Sequence, residues 1–267
     1  HVGSVGVGQA DGAAVRFADG TRVAADVVVG ADGVHSIVRE AVTTPGPAQY
    51  SGMCAFRALV PAERAPAFAR RPVHTLWLGP DHHLVHYPVS AGRQVNIVAF
   101  APAGDFRDES WSTLAPVEEL ANEFRGWDRR LCDLITHAGA TGRWALIDRP
   151  PLQTWSNARL TLLGDAAHAM FPFYAQGAVQ AIEDAAALAV CLAGERADPA
   201  RALDVYQRVR IPRAVRIQQM SHARKDINHV PDGPEQRRRD ADLTTADALA
   251  RSGWIYAHDA ESAARDA

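Results

Sequence analysis

The chain has only one lysine, Lys225, only three cysteines, and no uninterrupted apolar stretch of membrane-spanning length. Each scarcity excludes something. Cys54, Cys132 and Cys191 are odd in number and follow no metal-binding spacing, which argues against a disulfide framework and a zinc site and points to a reducing, cytoplasmic setting. The first residues lack the charged and apolar regions of a signal peptide. The chain opens with His1 and not Met, and reads as a processed or incomplete product. A net charge of -3 gives no sequence-wide reason to expect nucleic acid or an acidic membrane surface as a partner. The near absence of lysine beside abundant arginine and alanine reads as genomic base bias.

What remains is an ordinary globular composition. With 267 residues, 47% of them hydrophobic, the chain can bury a substantial core as one large or two modest domains. Its most informative stretch begins at Leu160-Thr161-Leu162-Leu163-Gly164-Asp165, an apolar run ending in Gly-Asp. It continues through the irregular segment Phe171-Pro172-Phe173-Tyr174-Ala175-Gln176-Gly177 into an Ala-rich helical pattern carrying Glu183 and Asp184. A strand that delivers an Asp to a sheet's carboxyl edge, followed by a loop and a fresh helix start, is where an open α/β sheet places a ligand. Asp165 can accept hydrogen bonds from ligand hydroxyls, while the first amides of the helix, at Gly177 and Ala178, favour negative charge. Asp165 as a turn cap, with Pro172 and Gly177 merely shaping a loop, is the plainer reading of the same residues.

Earlier in the chain, Val2 to Val7, Ala13 to Phe17 and Thr21 to Ala24 read as short strands. Hairpin turns are expected between them at Ala10-Asp11-Gly12 and Ala18-Asp19-Gly20. Asp26-Val27-Val28-Val29-Gly30 is a β-branched run suited to a buried parallel strand. Ala31-Asp32-Gly33 follows at once, with a helix expected over Val34 to Val42. The sharp turn calls for a small residue at Gly33, and Asp32 can receive hydrogen bonds there.

Gly164-Asp165-Ala166-Ala167-His168, with Pro172 and Ala175-Gln176-Gly177-Ala178, resembles the second FAD motif of the single-component flavin-dependent aromatic hydroxylases. The Ala-Gln-Gly form is similar to the salicylate hydroxylase and 3-hydroxybenzoate 6-hydroxylase branch. Gly30-Ala31-Asp32-Gly33-Val34-His35-Ser36 with Arg39 resembles the same family's middle motif. The resemblance implies an α/β FAD-binding Rossmann-like domain with an inserted mixed β-sheet substrate domain and C-terminal helices. It implies FAD contacts at Asp32, Gly33, Arg39, Gly164, Asp165, Pro172, Gln176, Gly177 and Ala178. NADH or NADPH would be cosubstrate, with O2 and a small aromatic substrate, and a homodimer is compatible with it. The family's opening strand, G-x-G-x-x-G turn and helix have no counterpart here: Val2 to Gly8 offers glycine spacing only within a hairpin pattern.

After the boundary at Pro45-Gly46-Pro47, longer alternating strands are expected at Met53 to Val60, Val73 to Leu78, His83 to Pro88 and Gln94 to Phe100. Helical patterns follow around Trp111, Val117 to Phe124 and Leu131 to Ile135. The first domain is therefore expected to be discontinuous, at 1–45 and 145–200, around a substrate sheet at 46–144, with a helical region at 201–267. Pro212 should kink or divide the long helical pattern Ala200 to Met220. Arg208, Arg210, Arg213 and Arg216 on it are read as a solvated face with local ion pairs in preference to a phosphate or nucleic-acid surface.

Within the substrate sheet, His82-His83-Leu84-Val85-His86-Tyr87 carries the chemistry. Alternation puts His83 and Tyr87 on one face and His82 and His86 on the other. His83 with Tyr87 can hold and deprotonate a phenol, because imidazole titrates near neutrality. A three-histidine metal site fits poorly with residues split between faces, and surface histidines are the plain alternative. The resemblance adds Gln176 to His83 and Tyr87 as residues facing substrate. Hydroxylation of a phenolic or hydroxybenzoate-type ring is thus the expected activity. The alternatives are a flavin reductase built on the same motifs, or a truncated chain that folds without catalysis.

Overall fold

The computed structural model describes the chain except for residues 1, 8–11, 45, 111, 112 and 246. The turn expected at Ala10-Asp11-Gly12, the boundary residue Pro45 and the helical signal at Trp111 therefore fall at least partly outside the described residues. The chain forms two units. One comprises residues 1–48, 148–224 and 246–267, the other 49–147 and 225–245.

In the first unit, β1 (Val2–Val7), β2 (Ala13–Phe17) and β3 (Arg22–Ala25) form an antiparallel meander. The turn at Asp19 and Gly20 closes β2 onto β3: Gly20 has φ +88° and Asp19 Oδ1 accepts from Thr21 N at 2.9 Å. Next comes β4 (Val28–Gly30), shorter and less buried than its sequence suggests, with Val29 39% exposed. A tight turn then leads to α1 (Val38–Val42), half the length of the helical pattern expected from Val34.

The second unit opens with β5 (Gln49–Pro61), followed by β6 (Thr75–Gly79), β7 (His82–Val89), β8 (Gln94–Pro102) and the short β9 (Leu114–Ala115). Helices α2 (Val117–Glu123) and α3 (Arg129–Thr136) precede β10 (Thr141–Asp148), which returns toward the first unit. The six strands lie in the order β6-β7-β8-β5-β10-β9, and the pairings of β6 with β7, β7 with β8, β5 with β8 and β9 with β10 are antiparallel. Period-2 alternation sends Cys54, Phe56, Ala58 and Val60 of β5 and Val95, Ile97 and Ala99 of β8 to one face. There they pack with Leu120 and Phe124 of α2 and Leu131 and Leu134 of α3. Met53, Ala55, Arg57, Leu59, His83, Val85, Tyr87 and Asn96 belong to the opposite face.

Back in the first unit, β11 (Ser156–Asn157) and β12 (Leu160–Leu162) join β4 in a sheet ordered β11-β12-β4, in which β12 and β4 run parallel. Leu163 N donates to Gly30 O at 2.9 Å, so the two strand ends leave the sheet side by side. The one-turn α4 (Asp165–His168) and the long α5 (Gly177–Gly194) follow. α5 is long and apolar enough to cross a membrane by length and composition. It carries Glu183 and Asp184, however, and both are paired inside this unit.

α6 (Pro199–Asn228) runs unbroken through Pro212. Pro212 therefore does not divide the helical pattern, and Arg210 and Arg213 on either side of it both make ion pairs to α5. These arginines also correct the reading of a solvated face: Arg210 is fully buried and Arg213 nearly so. Arg210 donates to Asp184 Oδ1 at 2.8 Å, Glu183 Oε2 at 2.7 Å and Gln180 Oε1 at 2.8 Å. Arg213 bonds both Glu183 oxygens and the carbonyls of Trp254 and Ile255. It thereby docks α8 (Ala248–Tyr256), which α7 (Pro234–Thr245) precedes and α9 (Ala260–Arg265) follows. Residues 201–267 consequently do not form a region of their own: 225–245 belong with the six-stranded sheet and the rest with the first unit.

Burial pushes the Asp184 carboxyl up, but its bonds to His168, Arg210 and the Gly164 amide outweigh that and leave it below 3.8. Its contribution to stability is therefore complete above the unfolded value and is lost as pH falls through the lower folded value. Arg210→Leu takes the guanidinium from the fully buried Asp184 and one of two from Glu183, and should cost about 3–5 kcal/mol, measured as a lower urea midpoint at neutral pH. An unchanged midpoint would mean that the ion pairs contribute nothing net to stability.

Candidate functional site

The ends of β4 and β12 deliver two Gly/Asp turns to one edge of the parallel sheet, and Arg39 ties them together. Its guanidinium, 3% exposed, donates to Ala166 O at 2.7 Å, Asp165 O at 2.9 Å, Val34 O at 2.9 Å and Gly33 O at 3.3 Å. Burial, helped by the nearby Arg149 charge, brings its pKa down to about 10, so it stays protonated at neutral pH. Two loops that leave adjacent strands would otherwise present unpaired carbonyls to each other. The buried cation satisfies them from both sides.

The two aspartates have different occupations. Asp32 turns both carboxylate oxygens onto its own loop, accepting from Ser36 Oγ at 2.5 Å, Ile37 N at 2.8 Å and Val38 N at 3.2 Å. Burial raises its pKa, but these bonds outweigh it and hold the group below the usual range. Gly33, at φ +79°, makes the turn that brings the carboxylate to these amides. Asp32 and Arg39, expected as cofactor contacts, thus spend their described hydrogen bonds on shaping the loops. Asp165 is exposed, and among the described residues its carboxylate takes no hydrogen bond.

Gly164 sets the direction of Asp165. Its φ of +63° with ψ of -141° is a conformation reserved for glycine, and a Cβ there would lie 3.1 Å from Ala181 Cβ. Its amide donates to Asp184 Oδ2 at 3.0 Å, and the same oxygen accepts from His168 Nε2 at 2.6 Å. One fully buried carboxylate therefore holds the start and the end of the Gly164–His168 turn.

From there the chain passes the exposed Pro172, which opens a single 3-10 turn ending at the left-handed Ala175 (φ +53°). The α5 ladder starts with Gln180 N donating to Gln176 O at 2.8 Å, so the amides of Gly177, Ala178 and Val179 lie ahead of it. Beyond its chain neighbours and its own helix backbone, the nearest atom a Cβ on Gly177 would meet is Asp165 Oδ1 at 3.9 Å. Nothing in the fold itself demands a glycine there. The bare backbone leaves space beside the exposed Asp165 carboxylate. Gln176, expected to face substrate, is buried with its side chain toward Gln180, whose Nε2 lies 3.4 Å from Gln176 Oε1.

The histidines lie in the second unit. His83 is 2% exposed, stacks on Phe100 at 4.4 Å between centroids, and places Nδ1 2.6 Å from Nε2 of His229. Tyr87 is on the same face, half-buried, and stacks on His74 at 4.1 Å. His86 lies on the opposite, helix-covered face at 1% exposure, where its Nδ1 accepts from Trp77 Nε1 at 3.0 Å. Burial lowers its pKa and favours the neutral ring. His82 points toward α2, with Nε2 3.0 Å from Glu123 Oε2. The plain alternative of surface histidines therefore fails for His83 and His86. Among the described residues, no group of three or more His, Cys, Asp or Glu is placed to hold a metal ion.

A cleft of about 640 Å³ in this unit is lined by Arg57, Leu59, Arg64, Leu114, Thr141 and Trp144 and does not include His83. On the sheet face, Arg57 Nε donates to Asn96 Oδ1 at 3.1 Å, one row of residues from Tyr87. Sequence reading gave His229 and Asn96 no part, since no local motif surrounds them. Arg210 carried a signal, its recurrence with Arg213 on a helix facing an acidic pair, but not the direction in which it points.

Residues 8–221 match the family described as FAD binding domain. A 3-amino-4-hydroxybenzoate 2-monooxygenase of Streptomyces platensis is 42% identical over 250 residues, 94% of this chain and 63% of its own length. A 3-hydroxybenzoate 6-hydroxylase of Aquipseudomonas alcaligenes is 38% identical over 241 residues, 89% of this chain and 61% of that protein. The chain thus spans less than two thirds of the length of these relatives. Among solved structures, a salicylate hydroxylase substrate complex superposes with a TM-score of 0.82 at 29% identity, covering 99% of this chain and 69% of that one. The expected α/β FAD-binding architecture is borne out by this likeness.

The residues present fit FAD. An unpartnered carboxylate at Asp165 suits sugar-alcohol hydroxyls, and the free amides at the start of α5 beside the open Gly177 suit an electron-rich ring edge. Asp165→Ala should weaken FAD binding by about 1.5–3 kcal/mol, the worth of hydrogen bonds to a charged acceptor. Flavin fluorescence titration measures it, and an unchanged affinity would make Asp165 a turn residue only.

Proposed function

The chain belongs to the FAD binding domain family, and from that premise we propose that it acts as an FAD-dependent monooxygenase, hydroxylating a phenolic or hydroxybenzoate-type ring with NAD(P)H and O2. The observation that carries the proposal is the pairing of a carboxylate without a hydrogen-bond partner among the described residues, Asp165, with a helix start whose glycine leaves open space. The relatives' hydroxybenzoate substrates support the choice of ring. FAD, when bound, supplies the redox chemistry that joins electrons from NAD(P)H to O2 and the ring.

The protein's own residues have three tasks. Asp165, Gly177 and Ala178, with Gly164 and Pro172 shaping their loop, hold the cofactor; Gln176 belongs to this loop through its backbone. Arg39 and Asp32 keep the two loops at one sheet edge. His83, with Tyr87 on its strand face, takes the proton of the phenolic hydroxyl, which makes the ring electron-rich. A small aromatic molecule and O2 are the partners in this reading, and a cytoplasmic homodimer completes it. Sedimentation at the mass of a single chain would remove the dimer.

The His83→Ala protein should retain its flavin and lose hydroxylation by on the order of 10²–10⁴-fold, the usual contribution of a general base. The loss should be deepest below the phenol's own pKa. His86→Ala, which removes the partner of Trp77, should instead lower stability while leaving product formed per NAD(P)H near wild type. Normal coupling in the His83 variant with loss in the His86 variant would move the base to His86. NAD(P)H oxidation without any oxygenated product in the unmutated protein would replace the monooxygenase by a reductase.

A further inference from the structure

His83 meets a second imidazole that lies far away in sequence. His229 follows α6 and returns its ring to the six-stranded sheet, where its Nε2 sits 2.6 Å from His83 Nδ1 with the ring centroids 4.8 Å apart. Its carbonyl accepts from Asp81 N at 3.4 Å, in the turn that leads into β7. Phe100 stacks against the His83 ring, so that ring is held by contacts on two strands and by the 225–245 segment.

Two nitrogens at this distance share one proton, and only two arrangements exist for a neutral pair. If His229 donates to His83, then His83 carries its own proton on Nε2 and cannot accept another there. If His83 donates from Nδ1, its Nε2 bears the lone pair, and the bond survives when His83 becomes protonated.

Resting on the reading of His83 as the base, we propose that His229 is a positioning residue. It accepts a hydrogen bond from His83 Nδ1 and fixes the tautomer in which His83 Nε2 takes the phenolic proton. In that step the phenol O–H bond breaks, an N–H bond forms at His83 Nε2, and the electron pair stays on oxygen as phenolate. The positive charge remains on His83. His229 is poorly suited to take it, because burial, then the Lys225 and His82 charges, bring its pKa down to about 4 against the opposing pull of Asp81 and Asp226. His229 is thus a neutral acceptor, playing toward a histidine base the part that a carboxylate plays elsewhere.

The test uses this chain directly. In protein labelled with 15N-histidine at pH 7, His83 should show a protonated Nδ1 and a bare Nε2, and His229→Leu should redistribute that proton between the two nitrogens. In the FAD-loaded protein, His229→Leu should lower kcat about 10-fold or more, part of what a general base provides. KM should change little, and the acidic limb of the pH profile should move to lower pH because the His83 imidazolium has lost its acceptor. His229→Gln, which keeps an acceptor oxygen, should recover most of both. A wild-type His83 with its proton on Nε2, or a His229→Leu protein with unaltered tautomer and pH profile, overturns the proposal. If the tautomer behaves as stated while His83→Ala hydroxylates normally, the assignment of His83 as base is what fails.

Discussion

The Asp184 carboxylate is the constraint on which the cofactor side of the protein depends. It is buried, charged, and shared among a backbone amide, an imidazole and a guanidinium. A carboxylate in that position is tolerable only if its lone pairs are used, and each partner that uses them is thereby fixed. Gly164 is pinned where β12 ends, His168 where the short helix ends, and α6 against α5. The turn between Gly164 and His168 has little freedom left, and its carboxylate, Asp165, is exposed and takes no hydrogen bond among the described residues.

A second charge works on the other side of that turn. Among the described residues Arg39 has no carboxylate partner at hydrogen-bond distance, and it donates to four carbonyls, two from each loop. Buried cations of this kind are costly to strand, so the loops and the arginine stabilise one another or none of them do. This division of labour explains why two similar Gly/Asp turns differ in role. One aspartate completes its own loop, and the other stands clear beside the first amides of α5.

In the second unit the organising element is the two-faced sheet. Its helix-covered face takes the aliphatic side chains together with His86, which finds Trp77 as a partner and lies in an environment that favours the neutral ring. Its other face takes His83, Tyr87, Asn96 and Arg57. Strand alternation alone sends histidines of identical type to opposite faces, His86 among the packed aliphatic side chains and His83 beside Tyr87 and Asn96.

Much of this was legible in the sequence. The parallel strands ending in Gly-Asp, the helix starting at Gly177, the alternating middle strands and the separation of His83 from His86 all follow from local periodicity, turn chemistry and a pleat of period two. These are properties of neighbouring residues, and neighbouring residues are what a sequence displays. Other features depended on tertiary structure: Arg210 turned inward, α6 continued through Pro212, Asp32 was absorbed by its own turn, and His229 reached His83 across 146 positions. Burial of charge and pairing between distant segments are decided by which surfaces meet. A helix that carries six arginines does not specify in its sequence which of them will find a buried carboxylate.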